Sequence, residues 1–144
     1  MKQDNINTIH ETKGIILSVR DLTMMFGRKK QQAAQMLADN KSKDEILKET
    51  GVTVAVDNIS FDVERGKIHT LIGLSGSGKS TVVRCLNLLL TPTRGRIFFE
   101  GKDIQTFRAQ QLREYRRKNV SMVFQSFGLL THRNVLDNVA YGLE

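Results

Sequence analysis

The stretch GLSGSGKST, residues 73–81, fits the pattern G-x-x-x-x-G-K-[ST], with Gly73, Gly78, Lys79 and Ser80 at the fixed positions. At ordinary residue frequencies a chain of this length shows that pattern by chance roughly once in two hundred times. The flanks agree with it. KIHTLIG, which leads into the loop, has the character of a buried strand, and TVVRCLNLLL, which follows, reads as a helix. Strand, glycine loop and helix together predict a phosphate cradle. Glycines at 73, 76 and 78 let backbone N–H groups turn toward one concavity, and the helix adds its unpaired N-terminal donors and positive dipole end. Lys79 brings a mobile charge for the β- and γ-phosphates, worth about 4 kcal/mol per close charge pair at an effective dielectric of about 20. Ser80 has the hydroxyl position that ligates Mg²⁺, and Thr81 is a further phosphate contact. The nucleotide-binding candidates are therefore Gly73, Ser75, Gly76, Ser77, Gly78, Lys79, Ser80 and Thr81.

The 144 residues suit one soluble domain: 40% are apolar and 26% charged, with no tryptophan and one proline. The start, MKQDNINTIHETK, has no apolar signal-peptide region, and no run reaches the roughly eighteen apolar residues of a membrane span, so a cytoplasmic protein is expected. The single cysteine, Cys85, excludes an internal disulfide and is read as a packing residue on an apolar helix. A net charge of +7 fits an anionic partner without choosing among nucleotide, nucleic acid and membrane surface.

Residues 1–13 read as a flexible tail and 14–144 as one folded region. IILSVRDLTMMF predicts one or two short strands ending near Phe26. A helical insertion at about 28–51 follows: RKKQQAAQMLADN, then SKDEILKET with Ser42 and Glu45 spaced as a capping box and Gly51 as its stop. VTVAV and NISFDV return to strand character, as does RIFFEGKDI, whose turn is at Gly101. Short, closely connected strands predict an antiparallel sheet. A basic helix is expected from about Arg108 to Lys118, solvated along Arg113, Arg116, Arg117 and Lys118, with Leu112 and Tyr115 opposite. It lacks the interleaved aromatics of a single-strand nucleic-acid binder, so no nucleic-acid partner is expected. VSMVFQS reads as a strand buried on both faces, and Val135, Leu136, Val139 and Leu143 fall at helical spacing. His10, His69 and His132 have no metal-ligand spacing to one another; His69 is expected in the strand before the loop.

Hydrolysis needs an acidic group on Mg²⁺ and a means of positioning water. An apolar strand ending in Asp or Asp-Glu would supply both, yet VSMVF ends in Gln125 and RIFF in Glu100. The 144 residues alone are expected to hold nucleotide without turning it over.

From AVDNISFDVERGKIHTLIGLSGSGKST through LLTPTRGRIFFEGKDI to MVFQS, the chain resembles the N-terminal half of the nucleotide-binding subunits of ABC transporters. QMLADNKSKDEILKETGVTVAV, MVFQSFGLL and VLDNVAYGLE look more narrowly like the ATPase subunits of bacterial glycine betaine and proline betaine importers. The resemblance implies an α/β P-loop NTPase fold of ABC type: the antiparallel β subdomain plus the first part of the core. It also implies that the chain is a fragment, since the LSGGQ-type signature, the catalytic glutamate and the switch histidine of the family are not in it. Phe26 would stack on adenine, although 27 residues separate it from Val54, an insertion similar to one in betaine-type subunits. Gln125 would touch Mg²⁺ or its water, making Lys79 and Gln125 the catalytic candidates and Ser80 and Gln125 the metal candidates.

The implied protein binds ATP and Mg²⁺ and forms a homodimer with a second ATPase subunit. It docks on a membrane permease through the loop after Gln125, works indirectly with a substrate-binding protein, and lies at the inner face of the membrane. Its hydrolysis of ATP would drive uptake of a quaternary amine osmoprotectant. The competing readings are a non-catalytic nucleotide-binding remnant and a soluble ABC ATPase acting on nucleic acid.

Overall fold

A computed structural model describes residues 14–124 and 128–143. Four strands form one antiparallel sheet in the order β2-β1-β3-β4: β1 is Ile15–Phe26, β2 Thr53–Glu64, β3 Arg94–Phe99 and β4 Lys102–Asp103. VTVAV and NISFDV are thus halves of one long strand. Its irregular register against β1 lets the ribbon bend where Asp21 and Asn58 adopt φ of 51° and 44°.

The insertion folds as helices α1 (Lys30–Ala38) and α2 (Lys43–Thr50). Ser42 Oγ accepts from the Glu45 N–H at 3.2 Å while Glu45 accepts from the Ser42 N–H at 2.8 Å, so the capping box is complete. Gly51 ends α2 at φ 69°, and Thr50 turns its hydroxyl back onto the Ile46 carbonyl at 2.6 Å. Both helices pack on a core of Met25, Ala33, Ala34, Met36, Ile46, Val52 and Val54.

A second core joins the sheet to two further helices. Val19, Leu22, Met24, Val56 and Ile97 meet Val82 and Cys85 of α3 (Lys79–Leu86) and Tyr115 of α4 (Ala109–Lys118). Met24 and Met25 enter different cores because successive strand residues face opposite ways. Burial of Cys85 pushes its thiol up to about 11, which fits its reading as a packing residue.

Three expectations need correction. Residues 67–74 form no strand: Ile68 and Ile72 are 96% and 91% exposed, and His69 instead accepts from the Glu64 N–H at 3.1 Å. Residues 121–124 of VSMVFQS form none either, with Val123 95% exposed, and Gln125 lies outside the described residues, as does the 1–13 tail. A strand exists only with partner backbone alongside, and among the described residues neither segment has any. The third correction concerns Arg116. Rather than joining a solvated face, it donates through Nε to the Asn87 carbonyl at 2.9 Å and through Nη2 to the Leu88 carbonyl at 2.6 Å.

The last α-helix among the described residues, α5 (Val135–Ala140), starts at Asn134, whose side chain accepts from the Asp137 N–H. Its apolar residues Val135, Leu136 and Val139 are exposed.

Candidate nucleotide-binding site

The glycine loop runs directly into α3. Gly78 is the N-cap, at φ 94°, and no side chain caps the helix, so its first N–H groups remain available to an anion. Gly78 also lies so close to β2 that a Cβ there would collide with the Ala55 carbonyl. Ser77 N–H closes a turn on the Leu74 carbonyl at 3.2 Å. Lys79 reaches back over this turn. Its Nζ donates to the carbonyls of Gly73 at 2.9 Å and Leu74 at 2.8 Å, with Ser77 Oγ at 3.4 Å. The ammonium, a donor with no acceptor capacity, is thereby held at the mouth of the loop by acceptors that phosphate oxygens can replace.

The other end of α3 is fastened by α4. Tyr115 donates its hydroxyl to the Leu86 carbonyl at 2.9 Å, and the Arg116 guanidinium takes the next two carbonyls. A cation at a helix C-terminus also complements the dipole. Tyr115 is buried between Phe99 and Phe107, both edge-on with centroids 5.1 and 6.1 Å away, and that burial pushes its phenol up to about 12. The basic spacing of α4 gave no sign that Arg116 anchors the loop helix; the apolar neighbour Tyr115 was the available signal.

Phe26 ends β1 with its ring 40% exposed and pairs with Thr53, two residues before Ala55. Same-face strand neighbours are about 6.8 Å apart. The aromatic candidate and the loop glycine therefore both lie near the first residues of β2. Ser75, Gly76 and Ser77 are exposed beside them, and Thr81 is half-buried on the first turn of α3. Ser80, on the same turn, is exposed and its hydroxyl has no protein partner among the described residues. Among those residues no group of three or more His, Cys, Asp or Glu could hold a metal. Mg²⁺ suits such a place, because it keeps several waters and takes its remaining ligands from one or two protein oxygens and the phosphates of a nucleotide.

An uncapped helix fed by a glycine loop, with a lysine across its mouth and an antiparallel sheet beside it, is the arrangement of a P-loop in an α/β fold. A family model described as ABC transporter matches residues 56–143, and the chain belongs to that family. It is 51% identical over 128 residues to the glycine betaine/carnitine transport ATP-binding protein of Listeria monocytogenes, covering 89% of this chain and 32% of that protein. With the glycine betaine transport ATP-binding protein of Bacillus subtilis it shares 50% identity over 134 residues, 93% of this chain and 32% of the relative. The chain spans about a third of the length of these curated relatives. Among solved structures, the dimeric ABC transporter cassette MJ0796 superposes with a TM-score of 0.67 at 23% identity, over 89% of this chain and 47% of that one. The fold is accordingly that of an ABC-type nucleotide-binding domain, with its antiparallel sheet and loop helix. No helix among the described residues is long and apolar enough to cross a membrane.

Proposed function

We propose that the chain is the nucleotide-binding part of an ATP-binding subunit that powers import of a quaternary amine osmoprotectant such as glycine betaine. The observation that carries this reading is the reach of the similarity. Relatives named for glycine betaine transport match about nine tenths of the chain at 46% to 51% identity, whereas a trimethylamine N-oxide transport ATP-binding protein of Ruegeria pomeroyi matches 90% of it at 43% and a methionine import ATP-binding protein of Desulfitobacterium hafniense matches 63%.

In this reading the glycine loop, α3 and Lys79 hold the phosphates of ATP, and Phe26 stacks on the adenine. Ser80 and Gln125 are the protein ligands of Mg²⁺, which offsets phosphate charge when bound. The ADP and phosphate bound to a post-hydrolysis form of the cassette MJ0796 support ATP as the nucleotide. Lys79 sets the charge at the loop mouth, and Gln125 would touch Mg²⁺ or its water. Turnover requires an acidic group on Mg²⁺ and a means of positioning water, whereas VSMVF leads to Gln125 and RIFF to Glu100, so in this reading the chain by itself holds ATP without hydrolysing it. The working protein is a homodimer at the inner face of the membrane, joined to a permease through the loop after Gln125 and served by a substrate-binding protein.

Coexpression with a glycine betaine permease tests the reading. The chain is expected in membranes that contain the permease and absent from membranes that lack it; equal distribution between the two would contradict the proposal.

A further inference from the structure

Thr93 lies between the loop helix and β3, yet its hydrogen bonds among the described residues run to the end of β1 that carries Phe26. Its backbone N–H donates to the Thr23 carbonyl at 2.9 Å, extending the β1–β3 ladder one step past the Thr23↔Arg94 pair. There the ladder stops: Pro92, the preceding residue, lies outside β3 and has no N–H to offer. Met25, the residue before Phe26, is left with an inward N–H and a fully buried side chain. Thr93 Oγ1 accepts that N–H at 3.0 Å and donates in turn toward Met24 Sδ at 3.9 Å.

The hydroxyl therefore stands in for a missing strand. On its other side β1 is held by β2, through Met25↔Val54 and Phe26↔Thr53. Beyond Phe26 the chain leaves the sheet for the insertion, and Gly27 lies against Val52, where a Cβ would approach Val52 Cγ2 to 2.9 Å. The pairing with β2 on one side of Met25, and the hydrogen bond from its N–H to the Thr93 hydroxyl on the other, thus fix the direction from which the half-exposed Phe26 ring projects. The second of these comes from the segment that follows α3.

We propose that Thr93 is a positioning residue for the adenine base, orienting Phe26 relative to the glycine loop through the Met25 N–H. This inference rests on the reading of Phe26 as the adenine-stacking residue. It assigns Thr93 a role in base recognition and none in phosphate binding. A hydroxyl is required and the methyl is not, so Ser can replace Thr and the isosteric Val cannot.

The test measures Mg²⁺-dependent binding of ATP and of inorganic tripolyphosphate to the chain and to Phe26→Ala, Thr93→Val and Thr93→Ser. Phe26→Ala is expected to weaken ATP about tenfold, in the range of base–aromatic stacking, and Thr93→Val about fivefold, with tripolyphosphate unchanged in both. Thr93→Ser is expected to bind ATP as the parent does. If Phe26→Ala discriminates the two ligands and Thr93→Val does not, the Thr93 inference falls while the reading of Phe26 stands. If Phe26→Ala leaves ATP binding unchanged, both fall. A Thr93→Val chain that loses ATP and tripolyphosphate in equal proportion, without rescue by Ser, would reduce Thr93 to a structural residue and overturn the inference.

Discussion

Lys79 donates its ammonium to the Gly73 carbonyl at 2.9 Å, closing the phosphate loop across its own mouth. The loop is thus preformed around a charge whose present partners are neutral backbone oxygens. Replacing them with phosphate oxygens turns bonds in which only the donor is charged into ion pairs in which both partners are. Lys79→Met is expected to weaken MgATP binding at least about tenfold, corresponding to ~1.4 kcal/mol, while changing the melting temperature little. Titration calorimetry beside a thermal melt checks both halves.

Gly78 tests how closely the loop rests on β2. Gly66 and Gly78 both have positive φ, 74° and 94°, but only at Gly78 would a Cβ collide with the Ala55 backbone. Gly66→Ala therefore reports the conformational cost, about 1–3 kcal/mol, and Gly78→Ala that cost plus the clash. Urea unfolding is expected to rank Gly78→Ala as the more damaging, with nucleotide binding lost in it alone.

The α4 anchor separates one arginine from its neighbours. Arg116→Ala removes two charged hydrogen bonds to the end of α3 and is expected to cost about 1.5–3 kcal/mol. Arg113 and Arg117 are exposed, and Arg113→Ala and Arg117→Ala should each fall within about 0.5 kcal/mol of the parent. Denaturant midpoints of the three variants decide the matter.

Much of this arrangement was legible in the sequence, and the rest was hidden for identifiable reasons. Helix signals are local: Ser42 and Glu45 are three residues apart and Gly51 closes the same helix, so α2 could be read without knowing its neighbours. The glycine loop and the start of α3 were legible for the same reason, Gly73, Gly78 and Lys79 being close in the chain. Strand character at 67–73 was misleading, because β-branched and apolar residues report a preference for burial while a strand also needs backbone beside it. Arg116 and Thr93 were illegible because their partners lie 28 to 29 and 68 residues away.

Alkaline pH probes the core behind the loop. Cys85 is raised from 9.0 to about 11 and Tyr115 from 10.0 to about 12, both by burial. Each group binds its proton more tightly in the folded chain, so the associated stability is fully present below pH 9 and is lost as pH rises toward 11 and 12. Melting temperature at constant ionic strength is expected to decline above pH 9, and Cys85→Ala to flatten the part of that decline between pH 9 and 11.

The capping box gives the opposite pH dependence. Glu45 is held below its usual range, first by the hydrogen bond from the Ser42 backbone N–H, so its contribution is present above about pH 4.5 and is lost as pH falls further. Ser42→Ala is expected to cost about 1 kcal/mol of α2 stability, visible as faster amide exchange at residues 43–50, with MgATP affinity unchanged.

The most direct measurement is a calorimetric titration of MgATP into the 144-residue chain and into its Lys79→Ala variant. Saturable, Mg²⁺-dependent binding of one nucleotide per chain, absent in the variant, is the expected result. No saturable binding in the parent, or equal binding in the two, would contradict the assignment of residues 73–81 as the nucleotide cradle.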